Sequence, residues 1–251
     1  MIEVEKANTG EVLVIGHRGA MGYAPENTMA SFEMAVELDA DLVELDVHLS
    51  RDDELVVIHD PNLGRTTDGH GRVKDLSLAE LKRLDAGAAF DSRFSGERIP
   101  ALREVLEWAC EKMPLVIEIK GDPEPASGIE EKLIDLIGEY HMLDKVMLIS
   151  FHHPSVKRVK EIEPGLATGI LYAGYLVDTV AAANAALADS LRPAWSYWTE
   201  ELVREAHAAG LAASTWTVNE PNIATALQRI GIDSIGTNYP DTIGECLKAG
   251  A

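Results

Sequence analysis

Three acids, two histidines and two cations stand where short apolar runs of this sequence end. The run at 12–15 is followed by Gly16-His17-Arg18-Gly19. The run at 42–47 carries Glu44 and Asp46, and its continuation at 55–58 ends in His59-Asp60. The run at 115–119 carries Glu118 and is followed by Lys120. Side chains two apart on a strand share a face, which pairs Glu44 with Asp46 and Glu118 with Lys120. Carboxylates crowded at one point raise each other's pKa unless a cation neutralises them. All-oxygen ligands suit a hard divalent ion, Mg²⁺ or Ca²⁺. Glu44, Asp46 and Glu118 are therefore the expected metal ligands. Ion pairing of these acids with Arg18 and Lys120 alone is the competing arrangement, and it is disfavoured because interior barrel layers are normally apolar. His17 and His59 suit a general acid and a general base, since an unperturbed imidazole titrates near ~6.5. Arg18 offers a planar fork and Lys120 a point charge, a pair suited to a phosphate. The sum is phosphoryl-transfer chemistry.

What must position these groups is an alternation of strands and helices. Further apolar runs lie at 146–149, 167–171, weakly near Leu191, at 211–216 and at 234–237. Between the runs, Met29, Phe32 and Val36 keep helical spacing, as do Leu102, Val105, Leu106, Ala109 and Met113, and Ile129, Leu133, Leu136, Ile137 and Tyr140. Helices also fit 154–162, 176–188, 199–209, 221–230 and 239–248. Continuous apolar strands separated by helices belong to a parallel sheet covered on its faces. Eight such units in about 250 residues match an α/β (β/α)8 TIM barrel, whose chemistry lies where strands end. No Pro-, Gly- or Ser-rich linker interrupts the chain, so residues 1–251 read as one domain. From about 60 to 100 the sequence is polar and weakly periodic, with one helical stretch at 78–84, and it reads as a small insertion after the second strand.

Composition narrows the partners. The 251 residues carry 42 acids against 22 bases, a net charge of −20, which repels nucleic acid and anionic membranes. No stretch approaches the ~18–20 apolar residues of a membrane helix. The N-terminus has no basic patch followed by an apolar run, which points to a cytoplasmic protein. Cys110 and Cys246 are too few for a disulfide framework or a zinc site and read as packed thiols. Barrel enzymes often pair through outer helices, so a homodimer stays open.

In order, His17-Arg18-Gly19-Ala20, Pro25-Glu26-Asn27-Thr28, Glu44-Leu45-Asp46-Val47 and His59-Asp60 resemble the glycerophosphodiester phosphodiesterase family. The likeness continues through Arg65-Thr66-Thr67, Leu84-Asp85-Ala86-Gly87, Ile99-Pro100-Ala101-Leu102, Glu118-Ile119-Lys120, Trp216-Thr217-Val218-Asn219 and Thr237-Asn238-Tyr239-Pro240. The resemblance implies a metal-dependent hydrolase acting on a small-molecule glycerophosphodiester to give glycerol 3-phosphate and an alcohol such as choline or ethanolamine. It implies His17 and His59 as acid and base, Glu44, Asp46 and Glu118 around one divalent cation, and Arg18 and Lys120 on the phosphate. Glu26 is expected to orient Arg18 or contact the metal shell, and Asn27 to cap the following helix. Phe151 and Trp216 are expected to wall a glycerol pocket, with core packing as the alternative. His152 and His153 read as loop residues, and His48, His70, His141 and His207 lack any partner pattern. Asn238 stands where many members have Asp, and Ala101 where Thr is frequent.

Three rival readings remain. A lysophospholipase D-like lipid phosphodiesterase needs an apolar surface near the mouth, and the insertion, with Leu84, Phe90 and Phe94, offers little. Lys120 as a Schiff-base lysine leaves the acids and histidines without a purpose. A non-catalytic phosphate-binding barrel has no need of the full set of catalytic groups.

Overall fold

The computed structural model describes residues 10–249. Nine strands form one sheet: β1 (Leu13–Gly16), β2 (Leu42–Leu49), β3 (Leu55–Val57), β4 (Leu115–Ile119), β5 (Val146–Ser150), β6 (Ala167–Tyr172), β7 (Ser190–Pro193), β8 (Ala212–Thr215) and β9 (Ser234–Thr237). All except β3 run parallel, and the pairing of β1 with both β2 and β9 closes them into an eight-stranded barrel. The helices are α1 (Met29–Glu37), α2 (Leu78–Leu81), α3 (Leu102–Ala109), α4 (Ile129–Glu139), α5 (His153–Ile162), α6 (Thr179–Ala185), α7 (Glu200–Ala208), α8 (Pro221–Arg229) and α9 (Pro240–Ala249).

The continuation expected at 55–58 is not part of the parallel barrel. β2 overshoots the ring, and β3 returns antiparallel beside it, with Val47 opposite Val57. The reversal is local chemistry. The Ser50 hydroxyl donates to Asp52 and accepts the Glu54 amide, while Asp53 takes a left-handed φ of 61°. The return then bonds the Ile58 amide to the Asp46 carbonyl at 3.0 Å, which sets His59 beside β2 rather than at the end of a barrel strand.

All eight residues of β2 are buried, and their alternation shows what lies on each side. Val43, Leu45, Val47 and Leu49 join the cluster under α1, α3 and α4. Leu42 faces inward with Ile15, Val116, Met147, Ile149, Ala167 and Leu171. The β6–β9 side of the interior is more polar: Arg192 is 3% exposed and its Nη1 donates to Ser214 Oγ at 2.9 Å. That polarity explains why β7 is faint as an apolar run.

Two helix starts differ from expectation. Thr28, not Asn27, caps α1, its Oγ1 accepting the Ser31 amide. Asp178 caps α6 through the Ala181 amide at 2.8 Å, so the helix begins after Leu176 and Val177 and leaves both exposed in the preceding loop. The segment between β3 and α3 folds into three 3₁₀ turns and the one-turn α2, shorter than the expected 78–84. Ser77 and Glu80 form a capping box there. The segment is held by its own apolar cluster of Val56, Ile58, Leu63, Val73, Leu81, Ala86 and Ile99.

Gly19 is where the first loop most needs glycine. Its φ is +83°, and a Cβ would lie 2.4 Å from Ser31 Oγ and 2.5 Å from the Ser31 carbonyl. Gly138, inside α4, would meet nothing within 4 Å. Gly19→Ala is expected to destabilise the fold by at least about 2 kcal/mol, the sum of left-handed strain and overpacking. Gly138→Ala should stabilise it by roughly 0.5–1 kcal/mol. Denaturant melts of the two variants check both, and a wild-type midpoint for Gly19→Ala would contradict this account of the loop.

Candidate active site

β2 and β4 place the three acids by register: Asp46 lies opposite Glu118, and Glu44 opposite Val116. One carboxylate oxygen from each of Glu44, Asp46 and Glu118 lies within 4.8 Å of the other two, and all three residues are buried. Burial and then the Asp46 charge push Glu118 up to about 7 and Glu44 well above the usual carboxylate range. Asp46 behaves oppositely. Burial works against its charge, but Lys120 and Arg18 hold it well below its ordinary value.

The cations are tied to these acids. Lys120 Nζ donates to Glu118 Oε1 at 2.8 Å and lies 3.4 Å from Asp46 Oδ1. The Arg18 amide donates to Glu44 Oε2 at 2.8 Å, and its Nε lies 3.2 Å from Asp46 Oδ2. Arg18 and Asn27 both take left-handed φ, 51° and 56°, which few non-glycine residues adopt without compensation. The compensation is visible at Asn27. Its Nδ2 donates to Asp46 Oδ2 at 2.8 Å, and its Oδ1 accepts the Asp46 amide at 3.2 Å. Asn27 is thus a partner of Asp46 rather than a helix cap.

Glu26 accepts from Arg18 Nη1 at 2.8 Å. Its carboxylate also takes both terminal nitrogens of Arg65, at 2.6 and 2.8 Å. Arg65 reaches Asp60 as well, through Nε at 2.6 Å and Nη2 at 3.1 Å. Asp60 in turn accepts from His59 Nδ1 at 2.7 Å and is held at about 2, chiefly by Arg65. His17 has a neutral partner: its Nδ1 donates to Asn238 Oδ1 at 2.8 Å. Burial, then Arg18, lowers His17 to about 4; burial also lowers His59, against the pull of Asp46 and Asp60. Each histidine commits Nδ1 to its partner.

One cavity of about 80 Å³ is lined by His17, Arg18, Glu44, His59, Glu118 and Lys120 together with Phe151 and Trp216. Asp46 lies behind this lining, 1% exposed. Phe151 is 47% exposed and meets Trp216 edge-on, ring centroids 5.5 Å apart, so it walls the mouth and is no core residue. Trp216 Nε1 donates to the Arg192 carbonyl at 2.8 Å, which fixes its ring. His48 Nε2 donates to the His59 carbonyl at 3.0 Å, and His207 pairs with Asp233 at 2.8 Å; neither partner was visible in the sequence. His152, in the loop after β5, bonds Ser155 Oγ, whereas His153 is the first residue of α5 rather than a loop residue and donates from Nε2 to the Leu171 carbonyl of β6.

The residues present fit a hard divalent cation. Glu44, Asp46, Glu118, Glu26 and Asp60 are five carboxylates against the three cations Arg18, Lys120 and Arg65, a deficit of two charges. Asp46 Oδ1 is buried with no hydrogen-bond partner. The donor set is all oxygen, as hard cations prefer.

A model of the "Glycerophosphoryl diester phosphodiesterase family" matches residues 17–242. The chain is 44% identical over 241 residues to a glycerophosphodiester phosphodiesterase of Caldanaerobacter subterraneus, covering 96% of this chain and 99% of that one. It is similar in structure to an Oleispira antarctica phosphodiesterase in complex with the product sn-glycerol-3-phosphate, with a TM-score of 0.85, 31% identity, and 94% and 96% of the two chains covered. A glycerophosphoryl diester phosphodiesterase structure from Silicibacter pomeroyi gives a TM-score of 0.89 at 27% identity, over 98% and 96% of the chains. With the motifs, the closed barrel and the match over most of its length agreeing, the chain belongs to the glycerophosphoryl diester phosphodiesterase family.

Proposed function

We propose that this protein is a metal-dependent phosphodiesterase that hydrolyses glycerophosphodiesters, such as glycerophosphocholine or glycerophosphoethanolamine, to glycerol 3-phosphate and the alcohol. The observation that carries the reading is the shared cavity: a buried triad of carboxylates, two histidines with Nε2 unspent, and two cations line or back one small space.

Glu44, Asp46 and Glu118 would hold one divalent cation, Mg²⁺ or Ca²⁺, which supplies charge neutralisation at the phosphate and lowers the pKa of a bound hydroxyl. Arg18 and Lys120 bind the non-bridging phosphate oxygens. Phe151 and Trp216 flank the glycerol carbons. The partners of the two histidines separate their roles. His17, beside neutral Asn238 and next to Arg18, stays uncharged and removes the proton of the attacking hydroxyl at Nε2. His59, whose Asp60 carboxylate opposes the lowering by burial, delivers its proton to the leaving alcohol, and water then opens the cyclic phosphate left by attack of the vicinal glycerol hydroxyl, with the two histidines' roles exchanged.

A second reading, a lysophospholipase D-like activity, has one observation in its favour. Exposed apolar side chains do stand at the strand-end rim, in the β6–α6 and β7–α7 loops rather than in the insertion: Tyr175 is 82% exposed, and Leu176, Val177 and Trp195 are exposed beside it. The acyl chain of a lysophospholipid, carried on the glycerol that keeps the phosphate, would lie there.

Purified protein should release glycerol 3-phosphate from glycerophosphocholine, lose that activity on chelation, and regain it with Mg²⁺, Ca²⁺ or Mn²⁺. Turnover that persists after exhaustive chelation would contradict the metal-dependent reading, and preference for lysophosphatidylcholine would move the substrate to the second one. His17→Ala and His59→Ala should each lower kcat by about 10²–10⁴-fold, the range for lost acid–base catalysis. Steady-state kinetics on the two variants checks this, and a less than tenfold loss would remove that residue from its role.

A further inference from the structure

Arg65 lies in the segment between β3 and α3, outside the barrel, yet its guanidinium is spent on two active-site carboxylates. It forks onto Glu26, with Nη1 at 2.6 Å and Nη2 at 2.8 Å, and onto Asp60, with Nε at 2.6 Å and Nη2 at 3.1 Å. Glu26 is the carboxylate that holds Arg18, and Asp60 the one that holds His59. An unbroken chain of charge-assisted bonds thus runs His59–Asp60–Arg65–Glu26–Arg18, and Arg18 is in turn ion-paired with Asp46, 3.2 Å from its Nε. The chain joins three separate pieces of backbone: the β1–α1 loop, the end of the β3 return and the 3₁₀ turn Leu63–Arg65.

We propose that Arg65 is a positioning residue that locks His59 to Arg18, so that the outer segment completes the active site by setting the distance between the proton carrier and the phosphate ligand. The proposal rests on the roles given above to His59 and Arg18. Isolated surface ion pairs contribute little, and the Arg65 side chain is 46% exposed. Two features set this one apart. Its partners are sheltered, the Glu26 side chain at 10% and Asp60 at 27% exposure. Its geometry is a double fork, which only the planar five-donor guanidinium can make. Without it, Glu26 and Asp60 would each keep one cationic or imidazole partner, but nothing would tie the two pairs together. The 3₁₀ turn has independent supports, since Leu63 is fully buried and Thr67 Oγ1 donates to the Leu63 carbonyl at 2.8 Å. Removal of the guanidinium should therefore leave the segment folded.

The test compares wild type, Arg65→Gln, Arg65→Lys, Glu26→Gln/Asp60→Asn and the triple variant Glu26→Gln/Asp60→Asn/Arg65→Gln. It measures kcat and KM for glycerophosphocholine at saturating cation, Tm, and a crystal structure of Arg65→Gln. Arg65→Gln should lower kcat by about 10²-fold, as a misplacement near 1 Å does, and Arg65→Lys should recover only part of it. In the background lacking both carboxylates, Arg65→Gln should cost no more than about twofold, because its partners are already gone. A purely structural arginine would cost the same in either background. A kcat for Arg65→Gln within about twofold of wild type, or equal losses in both backgrounds, would overturn the proposal. If Arg65→Gln does not fold, Arg65→Lys decides: wild-type kcat there would show that the fork is not needed. If wild type itself releases no glycerol 3-phosphate, the functional reading has failed separately. The Arg65→Gln crystal structure then decides the lock. Separation of the His59–Asp60 and Arg18–Glu26 pairs by more than about 0.5 Å relative to one another supports it, and an unchanged arrangement overturns it.

Discussion

The mutual repulsion of three buried carboxylates governs this structure. Glu44, Asp46 and Glu118 project from adjacent strands into a space where charge is poorly screened, and burial together with the Asp46 charge drives Glu44 and Glu118 toward the protonated form. The surroundings answer with Lys120 and Arg18, yet with every carboxylate ionised two negative charges would stay uncompensated across the wider network. A divalent cation held by the three acids would close that gap. Around it the other groups fall into place, because the residues that neutralise the acids are also the ones that can grip a phosphate.

The constraint reaches into the backbone. Arg18 and Asn27 accept left-handed conformations so that an amide, a guanidinium and a carboxamide can all point at Glu44 and Asp46. Gly19 allows the same loop to press against α1. β2 extends beyond the barrel so that β3 can fold back and bring His59 to the level of Asp46. The apolar layer beneath, from Ile15 to Leu171, closes the interior below the polar floor.

Much of this was legible in the sequence, and the exceptions have physical reasons. Glu44, Asp46, Glu118 and Lys120 could be read because strand periodicity puts alternate residues on one face, and a charge inside an apolar run stands out. The barrel followed from counting such runs, and β7 was faint because its inner face carries Ser190 and Arg192 instead of branched aliphatics. Local spacing is silent on long-range partnership. Arg65 meets Glu26 across 39 positions and His17 meets Asn238 across 221, so neither pairing leaves a periodic trace. Asn27 was misread for a related reason: Asn is a good helix cap, and only the fold shows that its side chain is already committed to Asp46. Residues 176–178 read as the start of a helix, but Asp178 is its cap.

If two of the three acids hold protons until a cation arrives, metal binding must expel protons, since ligating carboxylates are deprotonated. Calorimetric titration of metal-free protein at pH 7 with Mg²⁺ or Ca²⁺, repeated in buffers of different ionisation enthalpy, measures that release directly. The sign is fixed: Glu44 and Glu118 lie above their ordinary values, so the free site carries extra protons, and affinity should fall as the pH drops below 7. One cation per chain is expected to bind with release of about one to two protons, with loss of both binding and release in Glu118→Gln. Undiminished binding in that variant would contradict the claim that this buried triad is a cation site, and binding without proton release would contradict the protonation of its acids in the free site.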